Sequence, residues 1–406
     1  MSYIVDNLGG DGGSGIVDSG LLGDAGKILS DAVSVRRRIH SHPETGLELP
    51  RTQALILEEL ESIGLAAETG TRVSSVVGVI EGDLPGPTTL LRADMDALEM
   101  PEDTELPFAS EIDGRMHACG HDAHVAMLLG ATRLLQDRRK DLRGRVVLMF
   151  QPGEEGHGGA KVMIDEGLLT EHGKVDRAFA IHISSVVPSG FVTCRRGTIL
   201  ASSDEFRITV SGAGGHASMP HDARDPVPVA CEIVTALQAM VTRRVPAFDP
   251  AVVTVTKLQA GTAFNVIPEK VECEGTVRAV SDGTRELVIG LVKQVSENVA
   301  AAHGCTATVE MVELNYPVTV NDREAADRTL SVARSLIGDR AVPMPSPAMG
   351  AEDFSYVLQA VPGAMAILGA WPPGVEHPAP NHSNRMIIDE PAMATGIALY
   401  AGMALD

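Results

Sequence analysis

Residues 121–155 read HDAHVAMLLGATRLLQDRRKDLRGRVVLMFQPGEE, and a change of period inside this stretch sets the fold class. Between 122 and 136 the apolar residues Val125, Leu128, Leu129 and Leu135 fall on one face at helical spacing. Between 145 and 151 the run is short and continuously apolar, the pattern of a strand buried on both faces. A helix feeding such a strand predicts an α/β sheet covered on both sides.

Working outward, helical patterns lie at 31–40 and at 51–63, the second opened by Pro50 and closed by Gly64. Strand-like runs lie at 73–80, 88–92 and 177–183. After Gly197 the rhythm becomes strand 205–211, helix 226–243, strand 252–258, strand 270–278, helix 283–302 and strand 306–312. That βαββαβ order is the ferredoxin-like arrangement, and its length suits a domain of its own. The α/β pattern then resumes with a helix at 323–336, an apolar run at 364–368 and a last helix from about 391. The expected organisation is a larger domain made of residues 25–197 and 315–406, with 198–314 inserted into it. Residues 1–24, rich in Gly and Asp without periodicity, are expected to be a mobile arm.

Composition narrows the function. The 406 residues hold 33 Lys plus Arg against 54 Asp plus Glu, a formal charge of −21, which repels nucleic-acid backbones and anionic membranes. No apolar run is long enough to span a bilayer and the start lacks the features of a secretory leader, so a cytoplasmic protein is expected. The five cysteines, odd in number and widely spread, are expected to be thiols. Aromatic residues make up only 3%, leaving the cores to aliphatic residues and 16 Met.

Four segments carry chemistry. MHACGHDAHVAM, 116–127, puts a thiol and three imidazoles at the mouth of a helix, where thiolate is favoured, and offers ligands for zinc and, less selectively, manganese, nickel or cobalt. FQPGEEGHGGA, 150–160, places two adjacent carboxylates just past a buried strand, where open α/β sheets hold their ligands. A solvated acidic turn would account for that segment alone; a cation would account for two like charges so close together. In LRADMDALEM, 91–100, Asp94 and Asp96 share one face at period two. His182 and His382 follow apolar or Pro-rich stretches, where a lone histidine is usually structural. Together the segments supply the Cys, His and Glu mixture of a two-metal hydrolase.

With SGAGGHASMPH, GTAFNVIP and GAEDFS added, the series resembles the M20 metallopeptidase superfamily. Within it, the closer resemblance is to the amidohydrolase branch of hippurate, N-acyl-amino-acid and auxin-conjugate hydrolases. The motifs run in order over almost everything from Arg36 to Glu390. The resemblance implies a mixed-sheet catalytic domain with an inserted lid that also carries the dimer or tetramer contact. It implies two divalent ions (Mn, Zn, Ni or Co) held by Cys119, His121, Glu155, His182 and His382, with Glu154 as general base and Asp96 orienting that base. His216 matches the lid histidine that reaches the scissile carbonyl, in some relatives from the partner subunit, and Asn265 and Arg278 match lid positions near substrate. After His182 the family's usual aromatic is replaced by Ile183-Ser184-Ser185, which bears on the acyl pocket.

The expected activity is therefore hydrolysis of an N-acyl amino acid to a carboxylic acid and a free amino acid. A dipeptidase on the same site is the nearest alternative. A cysteine amidase using Cys119 as nucleophile would leave Glu154, Glu155 and His382 without roles. A structural zinc site would need no free carboxylate beside it. Asp122 is read either as orienting His121 or as capping the helix, and Glu352 and Asp353 either as lining the pocket or as capping the helix that follows.

Overall fold

The computed structural model describes residues 20–406. Nine α-helices are found among them: α1 (Leu21–His40), α2 (Pro50–Ser62), α3 (His121–Asp137), α4 (Gly159–Asp165), α5 (Pro226–Arg244), α6 (Asp282–Ala302), α7 (Arg323–Ile337), α8 (Ser355–Ala360) and α9 (Met393–Leu405). Seven strands precede the chain's departure into a second unit: β1 (Ala67–Thr69), β2 (Val76–Glu81), β3 (Leu84–Asp94), β4 (Arg143–Gln151), β5 (Arg177–Ser184), β6 (Val192–Cys194) and β7 (Gly197–Leu200). Within that unit lie β8 (Asp204–Ser211), β9 (Gly215–His216), β10 (Ala251–Ala260), β11 (Val266–Ile267), β12 (Lys270–Ala279) and β13 (Thr306–Met311). The return contributes β14 (Thr319–Asn321), β15 (Ala341–Pro343) and β16 (Gly363–Gly369).

The larger sheet has eight strands in the order β1-β2-β4-β3-β5-β16-β6-β15. Its centre, β4-β3-β5-β16, is parallel, while β1, β2 and the β16–β6 pair make it mixed. Residues 146–151 of β4 are buried without a break, as a strand covered on both faces requires. One cover is α3 with α1 and α9. Helix α9 is buried almost from end to end and apolar all round. It approaches α3 through Gly396, where an added Cβ would fall 2.1 Å from Met127 Sδ, and Gly130, where it would fall 2.9 Å from Ile397.

The second unit is the ferredoxin-like arrangement expected from the sequence. Its four strands pair antiparallel in the order β10-β12-β8-β13, with α5 and α6 packed on a core of their own. β9 and β11 form a separate ribbon in which His216 stands opposite Val266. The chain leaves the larger unit through β7 and returns through β14, and these two strands pair with each other.

The expected mobile arm falls outside the described residues up to residue 19. From Leu21 the chain is helical, and Leu21 and Ala25 are buried, so residues 21–24 belong to the fold. Gly23 and Gly26 hid this start, because glycine weakens a helical pattern that tertiary packing restores. No helix among the described residues is long and apolar enough to cross a membrane.

Candidate metal centre

The chemistry-bearing segments meet where the parallel strands β3, β4 and β5 point their carboxyl ends. Asp94 closes β3, Glu154 and Glu155 follow β4 by three and four residues, and His182 sits near the end of β5. Helix α3 opens above them with His121 as its first residue and Gly120 as its cap. Gly120 has φ +92°, and a Cβ there would lie 2.4 Å from Ile183 Cγ2, so only glycine lets the chain turn between Cys119 and His121. His382 arrives on a loop, itself left-handed at φ 67°, with its N–H bonded to Ala118 O at 2.8 Å. Side chains seldom adopt that conformation, and such strain concentrates at functional sites.

Donor atoms of Cys119, His121 and His182 lie mutually within 4.8 Å, as do those of Cys119, Glu155 and His382. Cys119 is common to both groups. Its Sγ is 3.3 Å from His182 Nε2, and Glu155 Oε1 is 3.2 Å from His382 Nε2. All five residues expected as ligands are therefore brought to one place. His121 Nε2 is buried and makes no hydrogen bond, while its Nδ1 is held by the carbonyl of Asp96 at 2.8 Å. A buried nitrogen without a hydrogen bond, 3.4 Å from Asp94 Oδ2 and set among a thiol, carboxylates and imidazoles, is the chemistry of a cation site, and the donors suit soft-to-borderline divalent metals.

The electrostatics agree. Burial, then the Glu155 charge, push the Cys119 thiol up, against the helix-terminus expectation, so a neighbouring cation is needed to hold it as thiolate. Burial and the nearby His124 hold His182 down to about 3, leaving it neutral as a ligand must be. Bonds to Cys119 and Glu155 raise His382 to about 10, the mark of an anionic pocket. Burial, with the charges of Glu352, Glu155 and Asp353, holds Glu154 well above the usual carboxylate range.

Asp96 reaches Glu154 through that residue's backbone rather than through its carboxylate. Its Oδ1 accepts the backbone N–H of Glu154 at 2.9 Å and its Oδ2 that of Glu155 at 3.0 Å, so it holds the turn that carries both glutamates. Asp94 is claimed by Arg92 and by His124 Nδ1, while His124 Nε2 accepts the Ile183 N–H at 2.8 Å. Both nitrogens of His124 are thus engaged, which removes it from the ligand set. Asp122 neither caps α3 nor reaches His121; it pairs with Arg36 at 2.9 Å and His40 at 2.8 Å. Glu352 and Asp353 do not line the cavity: both bind the buried Arg92, and Glu352 also takes the Phe354 N–H.

A cavity of about 950 Å³ opens from Cys119, Glu154, Glu155, His182 and His382. Arg278 lines it. His216 and Asn265 do not; they are neighbours on the exposed β9–β11 ribbon, where Asn265 O accepts the Ala217 N–H at 3.1 Å.

Three contributors escaped the sequence reading. Arg92 gathers Asp94, Glu352 and Asp353; its period-two spacing from Asp94 and Asp96 was a usable signal. Tyr316 donates to Glu154 O at 2.6 Å and accepts from the Gly158 N–H at 3.1 Å, a link that only the fold reveals. Asn381 donates to the carbonyls of Cys119 at 2.9 Å and Ile183 at 3.0 Å, tying the His382 loop to the site.

Known proteins share this framework. The sequence pattern of peptidase family M20/M25/M40 matches residues 90–406. IAA-amino acid hydrolase ILR1-like 2 of Arabidopsis thaliana is 41% identical over 93% of this chain and 85% of its own length. Thermostable carboxypeptidase 1 of Saccharolobus solfataricus is 38% identical over 95% and 97%. The crystal structure of the Bacillus subtilis YXEP protein, described as a dinuclear metal-binding peptidase of the M20 family, superposes with a TM-score of 0.80 at 32% identity, covering 94% of this chain and 98% of that one.

Proposed function

The chain belongs to the amidohydrolase branch of peptidase family M20/M25/M40 and is a metal-dependent amidohydrolase, and we propose that the bond it cleaves is the amide of an N-acyl amino acid. The observation that carries this reading is Cys119, shared between two donor groups, with the Glu154 carboxylate within 4.8 Å of donor atoms of His121 and Glu155 but in neither Cys119 group. Cys119, His121, Glu155, His182 and His382 would hold two divalent cations. When bound, such ions supply Lewis acidity to an amide carbonyl and make water acidic near neutral pH.

The remaining work falls to the chain. Glu154, held proton-hungry by burial and neighbouring carboxylates, takes a proton from the attacking water and delivers it to the leaving amine. Asp96 fixes the turn so that Glu154 and Glu155 keep their relative places. Arg278 receives the amino acid's carboxylate from the cavity wall. His216, with Asn265 beside it, donates to the carbonyl oxygen after the inserted unit, residues 198–314, closes as a lid, or arrives from a second copy. The exposed Met219, Leu258, Phe264 and Val266 on that unit support self-association there, as a homodimer or homotetramer. Cys119, Cys194, Cys231, Cys273 and Cys305 are all free, in keeping with a cytoplasmic enzyme.

The relative named a carboxypeptidase favours a second reading, cleavage of peptides on the same site. Leucyl and 4-methylpentanoyl derivatives of one amino acid differ only by an α-ammonium, and their relative kcat/KM separates the two readings. Chelation should abolish activity and divalent metal restore it. Glu154→Gln should keep its metal and lose about 10²- to 10⁴-fold in kcat. Wild-type turnover in that variant, or in metal-free protein, would sink the mechanism.

A further inference from the structure

Strand pairing lays out a row of side chains leading away from the metal centre. His182 on β5 stands opposite Ile367 on β16, Ile367 opposite Thr193 on β6, and Thr193 opposite Val342 on β15. Residues paired in register share a face, so these four form one lateral line across four adjacent strands. With strands about 4.8 Å apart, the line runs roughly 14 Å from His182 to the sheet's edge.

All four line the cavity. Ile367 is the single half-buried residue in an otherwise buried β16, and Thr193 is likewise the half-buried residue between buried neighbours on β6. The row is therefore the floor of an arm of the cavity. Phe191, Pro188 and Val187 wall it from the loop before β6, and Met344 and Met349 from the segment after β15. Ser184, at the end of β5, adds no bulk at the arm's entrance.

Apart from the Thr193 hydroxyl on the floor and Ser184 at the entrance, the polar lining lies elsewhere. Ser203, Glu205 and Arg278 face the cavity from the inserted unit's side, and Arg278 is the one Lys or Arg among the described lining residues. The cavity is thus two-sided, with an apolar arm along the sheet edge and a charged wall across from it.

We propose that the arm is an acyl subsite and that the preferred substrates carry a long apolar acyl group of about eight carbons. At about 1.25 Å of advance per carbon–carbon bond, such a chain fills most of the arm beyond the carbonyl. This rests on the N-acyl amino acid reading above. Acetyl would leave nearly all of the arm empty, and a charged or strongly polar acyl group would lose its hydration there with only the Thr193 hydroxyl to offset the loss.

The test is a chain-length series, acetyl through decanoyl on one amino acid, with the metal-loaded wild-type enzyme. kcat/KM should rise about four-fold per added methylene, equal to ~0.8 kcal/mol, up to about eight carbons and then level off. Val342→Trp, which places a bulky ring at the arm's outer end, should lower the octanoyl-to-acetyl ratio by about ten-fold or more. A flat or falling wild-type series with measurable acetyl turnover overturns the acyl subsite and leaves the N-acyl reading standing. No turnover of any N-acyl amino acid, with dipeptides cleaved, overturns both. An unchanged ratio in Val342→Trp places the long chain somewhere other than this arm; should that variant fail to fold, the wild-type series decides alone.

Discussion

Replacing Asp96 by Asn isolates what holds the two glutamates in place. The carboxylate is 1% exposed and accepts the Glu154 N–H at 2.9 Å with one oxygen and the Glu155 N–H at 3.0 Å with the other. Asparagine keeps one acceptor and turns an NH₂ toward the second N–H, setting donor against donor. A hydrogen bond to a charged group contributes about 1.5–3 kcal/mol, and a buried N–H left unpaired costs about 1–3 kcal/mol more. The turn therefore loses roughly 3–5 kcal/mol of restraint, and the carbonyl of Asp96 that holds His121 Nδ1 shifts with it. Disturbing such supporting partners typically weakens metal binding about 10- to 100-fold. Titration of Zn²⁺ and Mn²⁺ against a competing chelator, followed by kcat at saturating metal, should record that loss together with at least a ten-fold fall in kcat. Wild-type metal affinity with kcat within about two-fold would refute the role given to Asp96.

Gly120→Ala should cut metal stoichiometry at Cys119 and His121, since its Cβ meets Ile183 Cγ2 at 2.4 Å and φ is +92°; metal analysis reads this, and full occupancy would contradict it. His40 supplies a pH test away from the metal centre. Burial disfavours its charge, but Asp122, by charge and hydrogen bond, and Glu102 outweigh that and raise it to about 9, against the repulsion of Arg36. A raised folded pKa stabilises fully below the unfolded value near 6.5 and is lost as pH climbs through about 9. Urea unfolding should therefore show the wild type losing about 3 kcal/mol more than His40→Gln between pH 6.5 and 9.5, and equal losses would remove His40 as the cause.

The main helices and strands were readable because their apolar periods are strong: β4, α3, α5 and α6 lie within a few residues of expectation. Short pairs such as β9 with β11 and β7 with β14 were not, because two to four residues carry no period and form only where a partner waits. That Cys119, His121, Glu155, His182 and His382 gather in one place was legible from their types and from family resemblance together. The backbone contacts of Asp96 and the arginine pairings of Asp122 and Asp353 were not, because each depends on which backbone N–H or buried arginine lies opposite, which no local pattern encodes. The position of His216 away from the cavity was equally invisible, since a ribbon's place relative to another unit is a tertiary fact.

The strand order has a consequence for how the chain is made. β16 lies between β5 and β6 in the sheet, yet it follows them in sequence by more than 160 residues and is synthesised after the whole ferredoxin-like unit. Until residues 363–369 leave the ribosome, the inner edge of β5 has no neighbour on that side, and β6 and β15 have nothing to join them to the rest. An open apolar strand edge is a template for unwanted pairing. Biosynthesis thus leaves the wall beside His182, a flank of the metal centre, to be completed among the last steps of folding.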